Sequence, residues 1–584
     1  MEGFYKVYHM VGFVIFLEAM KAKGVELAIT DEVMRLMKAL KGAGHVVYVC
    51  GGWVRDALLK RVKTDPHMDM VTSATPDAIA KIVEPLGYKA RFVGKVFGVT
   101  VVNEFEVATF RTERSYSDGR HPDAVEFGAS PELDAQRRDF TINALFYDPF
   151  EKKVVDYVGG LEDIELKKLR FIGNPIDRLM EDRLRAIRYV RFIGALGENW
   201  RQESSVEAIK SFADNIVPML AWERISEETF KMLEGPRPDV CMDMLKEVSL
   251  LKYILPELDG AFGVAGGGFH DETVYEHSLL CARRAREFLD NPPYPNKPLP
   301  RRGLFVLACL IHDLGKVRAA KQVAYCPKCK KRNVPTLEVD ASLRCARCGT
   351  EVELDWAFYG HERLGAEIAE KIAERFKLSI KDKEYLVALT RNHMITIAPD
   401  KVLRKCNRCE AEFPSWSSVA FELLPADVQD DAKSCPECGS TNSEIIRMTK
   451  KGASLAPIRR LVVKLGKELA WDLVLLRWAD TLANLKDEER KKLSGHLFAA
   501  MYDKVIEEMK QFKITDLAID GNDLMALGLK QGPLIGEMLN HLKEKILDDP
   551  TRNNREWLMG EVKKYLATKT KEPNLKIDSE EGSG

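Results

Sequence analysis

Two consecutive glycines, Gly51 and Gly52, divide a β-rich run at residues 45–50 from a helix-compatible run at 54–59. This order predicts a strand, a tight turn and a helix. Glycine lets the backbone N–H groups of such a turn approach a phosphate without a Cβ in the way. Further short β-rich runs and one helix follow, and together they predict a small α/β domain over residues 25–160. The runs lie at 68–72, 88–93, 96–102, 104–110 and 142–148, and the helix at 76–86.

Beyond Leu179 the apolar residues recur at helical spacing, and this pattern continues towards the C-terminus. A proline-rich stretch at 291–300 predicts a loop, and cysteine-bearing inserts interrupt the helical pattern twice. The predicted fold class is multidomain and mostly α, with a small N-terminal α/β head, an all-helical neck, a helical domain carrying the two inserts, and a helical C-terminal tail. We expect boundaries at 1–24, 25–160, 161–260, 261–500, 501–567 and 568–584, with the inserts at 321–353 and 404–441.

Length and composition limit the class of protein. The 584 residues allow three or four domains. The formal net charge of −1 excludes a global basic field, so nucleic-acid binding must come from local basic patches. The apolar run at 10–17 is too short to span a bilayer, and no small-residue cleavage site follows it. We therefore expect a cytoplasmic protein. Residues 1–24 form an N-terminal extension that either packs on the head or precedes a later start at Met20, and the polar residues 568–584 are expected to be disordered.

Charged residues follow the glycines in an order that suits a nucleoside triphosphate. Two-metal phosphoryl transfer needs about three carboxylates on adjacent strands, and Asp69 and Glu106 fall in two of the predicted β runs. Arg138 and its neighbours place cations where a triphosphate could lie. Asp182 and Arg185, three apart on a predicted helix, share a face that can read the edge of a base. Each motif alone also fits a plain turn or a surface ion pair.

Taken in order, these motifs resemble the class II tRNA nucleotidyltransferase and bacterial poly(A) polymerase family, the CCA-adding enzymes. The resemblance implies Mg²⁺-dependent transfer of nucleotides from CTP and ATP to the 3′ end of tRNA. It makes Asp69 and Glu106 catalytic Mg²⁺ ligands, and the segment 513–536 resembles the family's tRNA-binding tail, with simple helix capping as the alternative. It assigns nucleotide binding to Gly51, Gly52, Arg55, Arg111, Arg120, Arg138, Asp139, Asn143, Asp182, Arg185, Arg188 and Arg191.

One position departs from the family pattern. The first carboxylate of the family's Asp-x-Asp strand falls at His67, and a neutral imidazole is a poor ligand for Mg²⁺, which prefers hard oxygen donors. Either Asp65 or His67 itself completes the catalytic site, or the site has lost a ligand and transfers poorly. In the last case the head serves to bind RNA, and the chain acts mainly through the metal site of its helical region, which is described next. A poly(A) polymerase that adds only A is a further alternative.

A second set of metal-ligand residues lies in the helical region, namely His277, the adjacent pair His312 and Asp313, His361, His393 and Asp480. In this order they resemble the HD superfamily of metal-dependent phosphohydrolases. The resemblance implies a first metal held by His277, His312, Asp313 and Asp480, and a second held by His361 and His393. Mixed histidine and carboxylate ligation suits Mn²⁺, Ni²⁺, Co²⁺ or Fe²⁺ better than Mg²⁺. Such a site activates water against a phosphate ester, so phosphatase or 2′,3′-cyclic phosphodiesterase activity is expected.

Four Cys-x-x-Cys pairs predict two structural Zn²⁺ sites, because a chain without a secretion signal more often uses such pairs as metal knuckles than as disulfides. Cross-pairing between the knuckles stays an open alternative. The first insert is also rich in lysine and arginine, and either contact with an RNA backbone or a plain solvated surface explains that. The predicted ligands are Cys326, Cys329, Cys345 and Cys348 in the first insert, and Cys406, Cys409, Cys435 and Cys438 in the second.

Overall fold

The structure, a computed structural model, describes a large part of the chain: residues 26–61, 68–93, 98–114, 124–128, 130–266, 272–339, 342–394, 401–416, 437–438, 440, 442–448, 455–484, 488–512 and 516–569. The chain divides into two compact units, one over residues 1–260 and 375–377 and the other over 261–374 and 378–584. None of the described helices combines the length and the apolar composition that crossing a membrane requires.

A seven-stranded sheet forms the centre of the first unit. The strands of the unit are β1 (Val47–Cys50), β2 (Met70–Thr72), β3 (Ala90–Phe92), β4 (Val99–Val102), β5 (Phe105–Thr109), β6 (Arg111–Arg114), β7 (Ala124–Phe127), β8 (Phe146–Asp148) and β9 (Lys153–Val155). The strand order in the sheet is β3-β4-β5-β2-β1-β8-β9, and β2 and β5 are its one parallel pair among the described residues. A separate hairpin joins β6 to β7.

Helices cover this sheet and continue beyond it. The helices of the first unit are α1 (Asp31–Gly42), α2 (Gly52–Leu58), α3 (Pro76–Val83), α4 (Pro131–Gln136), α5 (Gly160–Glu165), α6 (Pro175–Glu181), α7 (Leu184–Leu196), α8 (Glu203–Phe212), α9 (Trp222–Glu234), α10 (Pro238–Glu247), α11 (Leu251–Ile254) and α12 (Pro256–Asp259). Buried side chains including Cys50, Val71, Phe110 and Phe146 form one hydrophobic core cluster of this unit.

The predicted strands of the head are present but shorter than expected. The predicted strand at 142–148 is wrong in its first half, because Thr141–Asn143 form a 3₁₀ turn and β8 begins only at Phe146. The predicted helix at 76–86 is confirmed as α3 followed by a 3₁₀ turn at Glu84–Leu86. β6, β7 and β9 were not predicted. The turn after β1 is as expected, with Gly51 at a φ of +74°, a conformation that favours glycine.

The second unit is helical and carries two small β inserts. Its helices are α13 (Val274–Asp290), α14 (Arg302–Ile311), α15 (Gly315–Ala319), α16 (His361–Arg375), α17 (Ile380–Asn392), α18 (Ala456–Leu465), α19 (Lys467–Ala483), α20 (Glu488–Phe512), α21 (Gly521–Ala526), α22 (Pro533–Asp548) and α23 (Arg555–Lys569). Its strands are β10 (Lys321–Cys326), β11 (Lys331–Arg332), β12 (Thr336–Val339), β13 (Ser342–Cys345), β14 (Glu353–Ala357), β15 (Lys401–Cys406), β16 (Glu412–Trp416) and β17 (Ser443–Met448).

Two local features position the metal-ligand residues of this unit. α13 begins with a capping box, in which Thr273 Oγ1 accepts the N–H of Glu276 and the Glu276 carboxylate accepts the N–H of Thr273, and His277 follows directly. α15 and α16 approach closely at Gly315, where a Cβ would lie 2.0 Å from the backbone oxygen of His361. A side chain at position 315 would therefore push the two ligand-bearing segments apart.

Candidate active sites and metal centres

Four histidine rings of the second unit converge with their Nε2 atoms facing one another. Each ring is held at its other nitrogen, where an Nδ1–H can donate to an acceptor, and this leaves the Nε2 lone pair for a metal. The acceptors are the backbone oxygens of Cys309, Phe358 and Thr390 for His312, His361 and His393, at 2.8, 2.8 and 2.6 Å, and the Glu272 carboxylate for His277, at 3.3 Å.

Asp313 joins these rings into one two-part cluster. Its Oδ1 lies 3.2 Å from Nε2 of both His361 and His393, and its Oδ2 lies 3.5 Å from Nε2 of His312 and 3.7 Å from that of His277. Asp480 closes the other part, with Oδ1 3.1 Å from His277 Nε2 and 3.6 Å from His312 Nε2. All six predicted ligands therefore meet as two groups of three. His277, His312 and Asp480 form one group, and Asp313, His361 and His393 form the other. Asp313 also faces the first group through Oδ2, so its carboxylate can bridge the two.

The electrostatics of the cluster favour a cation. Burial alone would lower the pKa of His277, but Asp480 and Glu272 raise it to about 9. For His312, Asp313 outweighs burial and the pKa rises to about 10. His312 Nε2 is buried without a hydrogen-bond partner among the described residues. Imidazole and carboxylate donors about 3 Å apart fit ions with bonds of about 2.1 Å, and binding would displace protons from the rings.

Two further cations touch the carboxylates of this cluster. Lys316, one helical turn after Asp313, places its Nζ 2.7 Å from Asp313 Oδ2 and is buried. Arg477 donates to Asp480 Oδ2, the oxygen that faces away from the imidazole of His277. Glu272 and Arg477 were not predicted, because they are identified only by contacts made in the folded unit.

The four cysteines of the first insert also converge. Sγ of Cys348 lies 3.4 Å from Sγ of both Cys326 and Cys329, and Cys329 Sγ lies 4.0 Å from Cys345 Sγ. A tetrahedral zinc ion with Zn–S bonds of about 2.3 Å separates its sulfurs by about 3.8 Å, so the arrangement fits. The two knuckles of the first insert thus lie together, and pairing within the insert as zinc ligands stays a prediction.

The second insert brings together Cys406, Cys409 and Cys438, with Cys406 Sγ 3.6 Å from Cys438 Sγ. Cys435 lies outside the described residues. Its described cysteines also group within their own insert, so neither insert supports cross-pairing.

In the first unit, the two predicted Mg²⁺ ligands lie near the starts of neighbouring strands, Asp69 directly before β2 and Glu106 at the second residue of β5. Met70 pairs with Val107 in the parallel β2–β5 ladder, and Asp69 and Glu106 directly precede these two residues. Because side chains alternate along a strand, Asp69 and Glu106 lie on the same face of the sheet, and both are exposed. Cys50 N–H donates to the Asp69 backbone oxygen, which places the Gly51–Gly52 turn beside the carboxylates. Asp65, His67 and Arg120 lie outside the described residues.

Several predicted nucleotide-binding residues form one hydrogen-bonded chain beside this turn. Arg55 Nη1 donates to Asn143 Oδ1 at 2.6 Å, and Asn143 Nδ2 donates to Asp139 Oδ1 at 3.2 Å. Arg188 donates twice to Asp139 Oδ2, at 2.9 and 2.6 Å. Burial alone would raise the pKa of Asp139, but Arg188 holds it below its usual value. The chain links α2 to α7 and fixes these side chains relative to each other.

Two further predicted cations, Arg138 and Arg191, are anchored to carboxylates that the sequence did not single out. Arg138 pairs at 3.1 Å with the fully buried Asp134, whose carboxylate also accepts the backbone N–H of Arg111 at 3.4 Å. Arg191 pairs with Glu228 of α9 at 2.7 Å. Asp134 and Glu228 carry no motif, and only the folded chain identifies them.

The expectation that Asp182 and Arg185 lie on one helix is wrong. α6 ends at Glu181 and α7 begins at Leu184, whose N–H donates to Asp182 Oδ1. Asp182 instead forms a two-pronged pair with Arg224 of α9, at 3.1 and 2.9 Å. Arg185 Nη1 contacts Glu181 at 2.5 Å. The two residues therefore stand at a helix break, each held by its own partner.

Models of known protein families match most of the chain in consecutive blocks. The matches are a poly A polymerase head domain over residues 47–170, a probable RNA and SrmB-binding site of polymerase A over 202–262, an HD domain over 274–412, and a putative tRNA nucleotidyltransferase domain 2 over 464–562. A CCA-adding enzyme of Bacillus velezensis is 36% identical over 286 residues, which are 46% of this chain and 70% of that relative. The chain belongs to the CCA-adding enzyme family.

Other CCA-adding enzymes resemble the chain in sequence or in fold. A relative from a Geobacillus species is 37% identical over 228 residues, 38% of this chain and 54% of its own length. The solved Bacillus stearothermophilus CCA-adding enzyme in complex with CTP has a TM-score of 0.54 at 21% identity, covering 92% of this chain and 98% of that one. A CCA-adding enzyme solved with ATP has a TM-score of 0.51 at 18% identity, covering 94% and 97%. These structures share the fold. The HD match stops before Asp480, which the fold brings to the cluster.

Proposed function

We propose that this chain adds C, C and A to the 3′ end of tRNA from CTP and ATP. The observation that carries the proposal is the placement of Asp69 and Glu106 near the start of two paired parallel strands, beside the Gly51–Gly52 turn. Family membership supports it, since the relatives are CCA-adding enzymes. In this proposal residues 25–160 are the catalytic head, 161–260 the neck, 261–500 the HD domain and 501–567 the tRNA-binding tail.

In the head, Asp69 and Glu106 would hold Mg²⁺, together with Asp65 or His67. Mg²⁺ held there would lower the pKa of the RNA 3′-hydroxyl and offset the charge of the pyrophosphate leaving group. The protein's own part is to orient the triphosphate. The N–H groups of the Gly51–Gly52 turn can donate to phosphate oxygens, and Arg138 and Arg111 lie where cations can neutralise them. The row of hydrogen bonds that joins Arg55, Asn143, Asp139 and Arg188 keeps this surface rigid.

Recognition of the base is assigned to Asp182 and Arg185. A carboxylate accepts from the exocyclic amine that C and A share, and a guanidinium donates to a ring nitrogen, so one pair of side chains can accept both bases. Arg224 and Glu181 hold the two groups before nucleotide arrives. No template strand is needed for this kind of recognition.

The HD cluster is proposed to hydrolyse phosphate esters at RNA ends, as a phosphatase or 2′,3′-cyclic phosphodiesterase. His277, His312, Asp480 and Asp313 would hold one transition metal, and Asp313, His361 and His393 a second. Metal ions held there supply a hydroxide nucleophile at neutral pH and polarise the phosphoryl group. Lys316, next to the bridging carboxylate, is placed to neutralise a substrate oxygen.

The two cysteine clusters are proposed to hold structural Zn²⁺. Four thiolates leave no open position for water, so these sites stabilise the inserts and carry no reaction.

The transferase proposal is tested with purified protein, Mg²⁺, CTP and ATP and a tRNA that ends before its CCA, followed by sequencing of the 3′ ends. Addition of C, C and A is expected, and a D69N variant is the matched inactive control. A run of A would instead identify a poly(A) polymerase. No addition, together with release of phosphate from a 3′-phosphorylated RNA in the presence of Mn²⁺ or Ni²⁺, would overturn the transferase proposal and leave the HD activity.

A further inference from the structure

The two zinc knuckles of the first insert bring four cations to one end of a small β structure. Lys328 lies between the cysteines of the first knuckle, and Lys330 and Lys331 directly follow it. Arg347 lies between the cysteines of the second knuckle. Because the four Sγ atoms lie within 4.8 Å of one another, the loops that carry these residues meet at the same end. We call this surface, formed by residues 327–331 and 346–350, the knuckle end.

The cations of the knuckle end are available for a partner. Lys328, Lys330, Lys331 and Arg347 are all exposed, and no ion pair joins any of them to a carboxylate within the described residues. Arg344 differs, since its Nη1 donates to the backbone oxygen of Gly349 at 3.4 Å and so braces the second knuckle. A zinc ion held by four thiolates has a formal charge of about −2. The four cationic side chains outweigh that charge, so the knuckle end stays positive.

The second insert provides an internal comparison. Its knuckles carry Arg408 and Glu437 between their cysteines, so one charge offsets the other. There Lys405 also lies 3.7 Å from Glu410. The accumulation of positive charge therefore belongs to the first insert and does not follow from zinc binding as such.

We propose that the knuckle end of the first insert binds the phosphodiester backbone of the RNA substrate. Neither knuckle has an aromatic or large aliphatic residue between or directly after its cysteines, so the surface lacks the apolar centre of a protein interface and the rings that stack on bases. Flexible cationic side chains on a rigid base suit phosphate contacts, which are independent of base sequence. The inference rests on the proposed action of the chain on RNA and adds a contact site to it.

Zinc is expected to be coupled to this binding. The buried part of the insert consists of little more than Cys326, Val334 and Cys345, so metal must hold the two knuckles together. Loss of the metal would separate Lys328 from Arg347 and disperse the charge that the RNA backbone requires.

The test is fluorescence anisotropy of the full-length, zinc-loaded protein with a labelled tRNA lacking CCA, measured from roughly 50 to 300 mM KCl, where phosphate contacts govern the salt dependence. The test variant is K328Q/R347Q. The control K321Q/R408Q also removes one lysine and one arginine, from the far end of β10 and from the second insert. Metal analysis of both variants shows whether the zinc content is unchanged, since none of the four residues is a ligand.

For K328Q/R347Q we expect the slope of log Kd against log salt to fall by about 1 per lost contact, and Kd to rise about tenfold near 100 mM salt. The same loss is expected with an unrelated RNA of equal length, and the control is expected to stay within about twofold of wild type. Equal slopes for the test and control variants would overturn the inference. If wild type adds no nucleotide while the slope difference is present, the transferase proposal fails and the binding site stands.

Discussion

Arg224 donates two hydrogen bonds to the Asp182 carboxylate from a helix 42 residues further along the chain. Both side chains are about one fifth exposed, at 20% and 21%, so the pair is accessible to a nucleotide but partly protected from water. Arg185 is held by other partners, namely Glu181 and the backbone oxygens of Arg178 and Arg137. The two proposed base-reading groups are therefore positioned by the protein before any base is present.

Replacement of Arg224 by alanine is expected to lower kcat/KM for both CTP and ATP by about tenfold or more, because a two-pronged charge-assisted pair contributes about 1.5–3 kcal/mol. Steady-state incorporation into a tRNA ending before its CCA measures this. The control is R201A, which removes an arginine paired with the half-buried Glu247 of the same unit. Equal losses in the two variants would mean that Arg224 acts only through stability.

Substitution can show whether Asp65 or His67 supplies the third Mg²⁺ ligand of the head. We expect D65A to lower kcat for CTP addition at least tenfold and H67A to change it by no more than about threefold, because Mg²⁺ prefers oxygen ligands to imidazole. Single-turnover kinetics at several Mg²⁺ concentrations measure both variants. A larger loss with H67A than with D65A contradicts this assignment.

Glu272 is expected to strengthen metal binding through His277. Its carboxylate lies 3.3 Å from His277 Nδ1, whereas the other three rings use backbone oxygens. Removing the charge in E272Q should weaken binding of Mn²⁺ or Co²⁺ about 10- to 100-fold. Titration calorimetry of metal-free protein measures the affinity directly. E287Q, which alters a partly exposed carboxylate on α13, the helix that carries His277, should bind metal as wild type does.

The zinc ligands of each insert should be independent. In C345S we expect the loss of about one zinc per chain and rapid trypsin cleavage within 321–357, because the core of that insert is too small to fold without metal. In C406S we expect loss of the other zinc and no new cleavage at 321–357. Metal analysis and mass spectrometry of the digests distinguish the two, and cleavage at the same sites in both variants would indicate shared ligands.

Asp472 should make stability depend on pH. Burial raises its pKa from 3.8 to about 6, with Glu468 contributing and the hydrogen bond from Tyr385 opposing. Between roughly pH 4 and 6 the folded state then binds more protons than the unfolded state, so this group lowers the free energy of unfolding as pH rises through that window. Relative to wild type, D472N should be more stable by about 1–3 kcal/mol at pH 7.5 and nearly equal at pH 4. Thermal unfolding at the two pH values checks this, with E384Q as an exposed control; a constant difference would contradict it.

Groups of functional residues that lie close together in sequence could be predicted. Residues that contact a functional side chain only through the fold could not. The adjacent pair of His312 and Asp313 and the spacing of Cys326 to Cys348 predicted groups of metal-ligand residues, and the structure brings these groups together. The break at Asp182 could not be predicted, because helical periodicity continues through it and only the capping of the Leu184 N–H ends one helix and starts the next. Arg224 and Glu272 act through contacts that no local pattern encodes. The strands and the helix predicted in the head are present with errors at their ends, but β6, β7 and β9 were missed.

The distance along the chain between the ligands of the HD cluster has a consequence for synthesis. His277 and Asp480 lie 3.1 Å apart in space but 203 residues apart in sequence, whereas the cysteines of the first insert span residues 326–348. A growing chain can therefore complete the first cysteine site while three of the six ligands of the HD cluster, His361, His393 and Asp480, are still untranslated. Domains emerge and fold from the N-terminus at about 5–20 residues per second. The partial cluster of His277, His312 and Asp313 then waits about ten seconds or more for its last ligand. During that interval His277 and His312 lack Asp480, the carboxylate that lies 3.1 and 3.6 Å from their Nε2 atoms, so the HD cluster is completed later than both cysteine clusters.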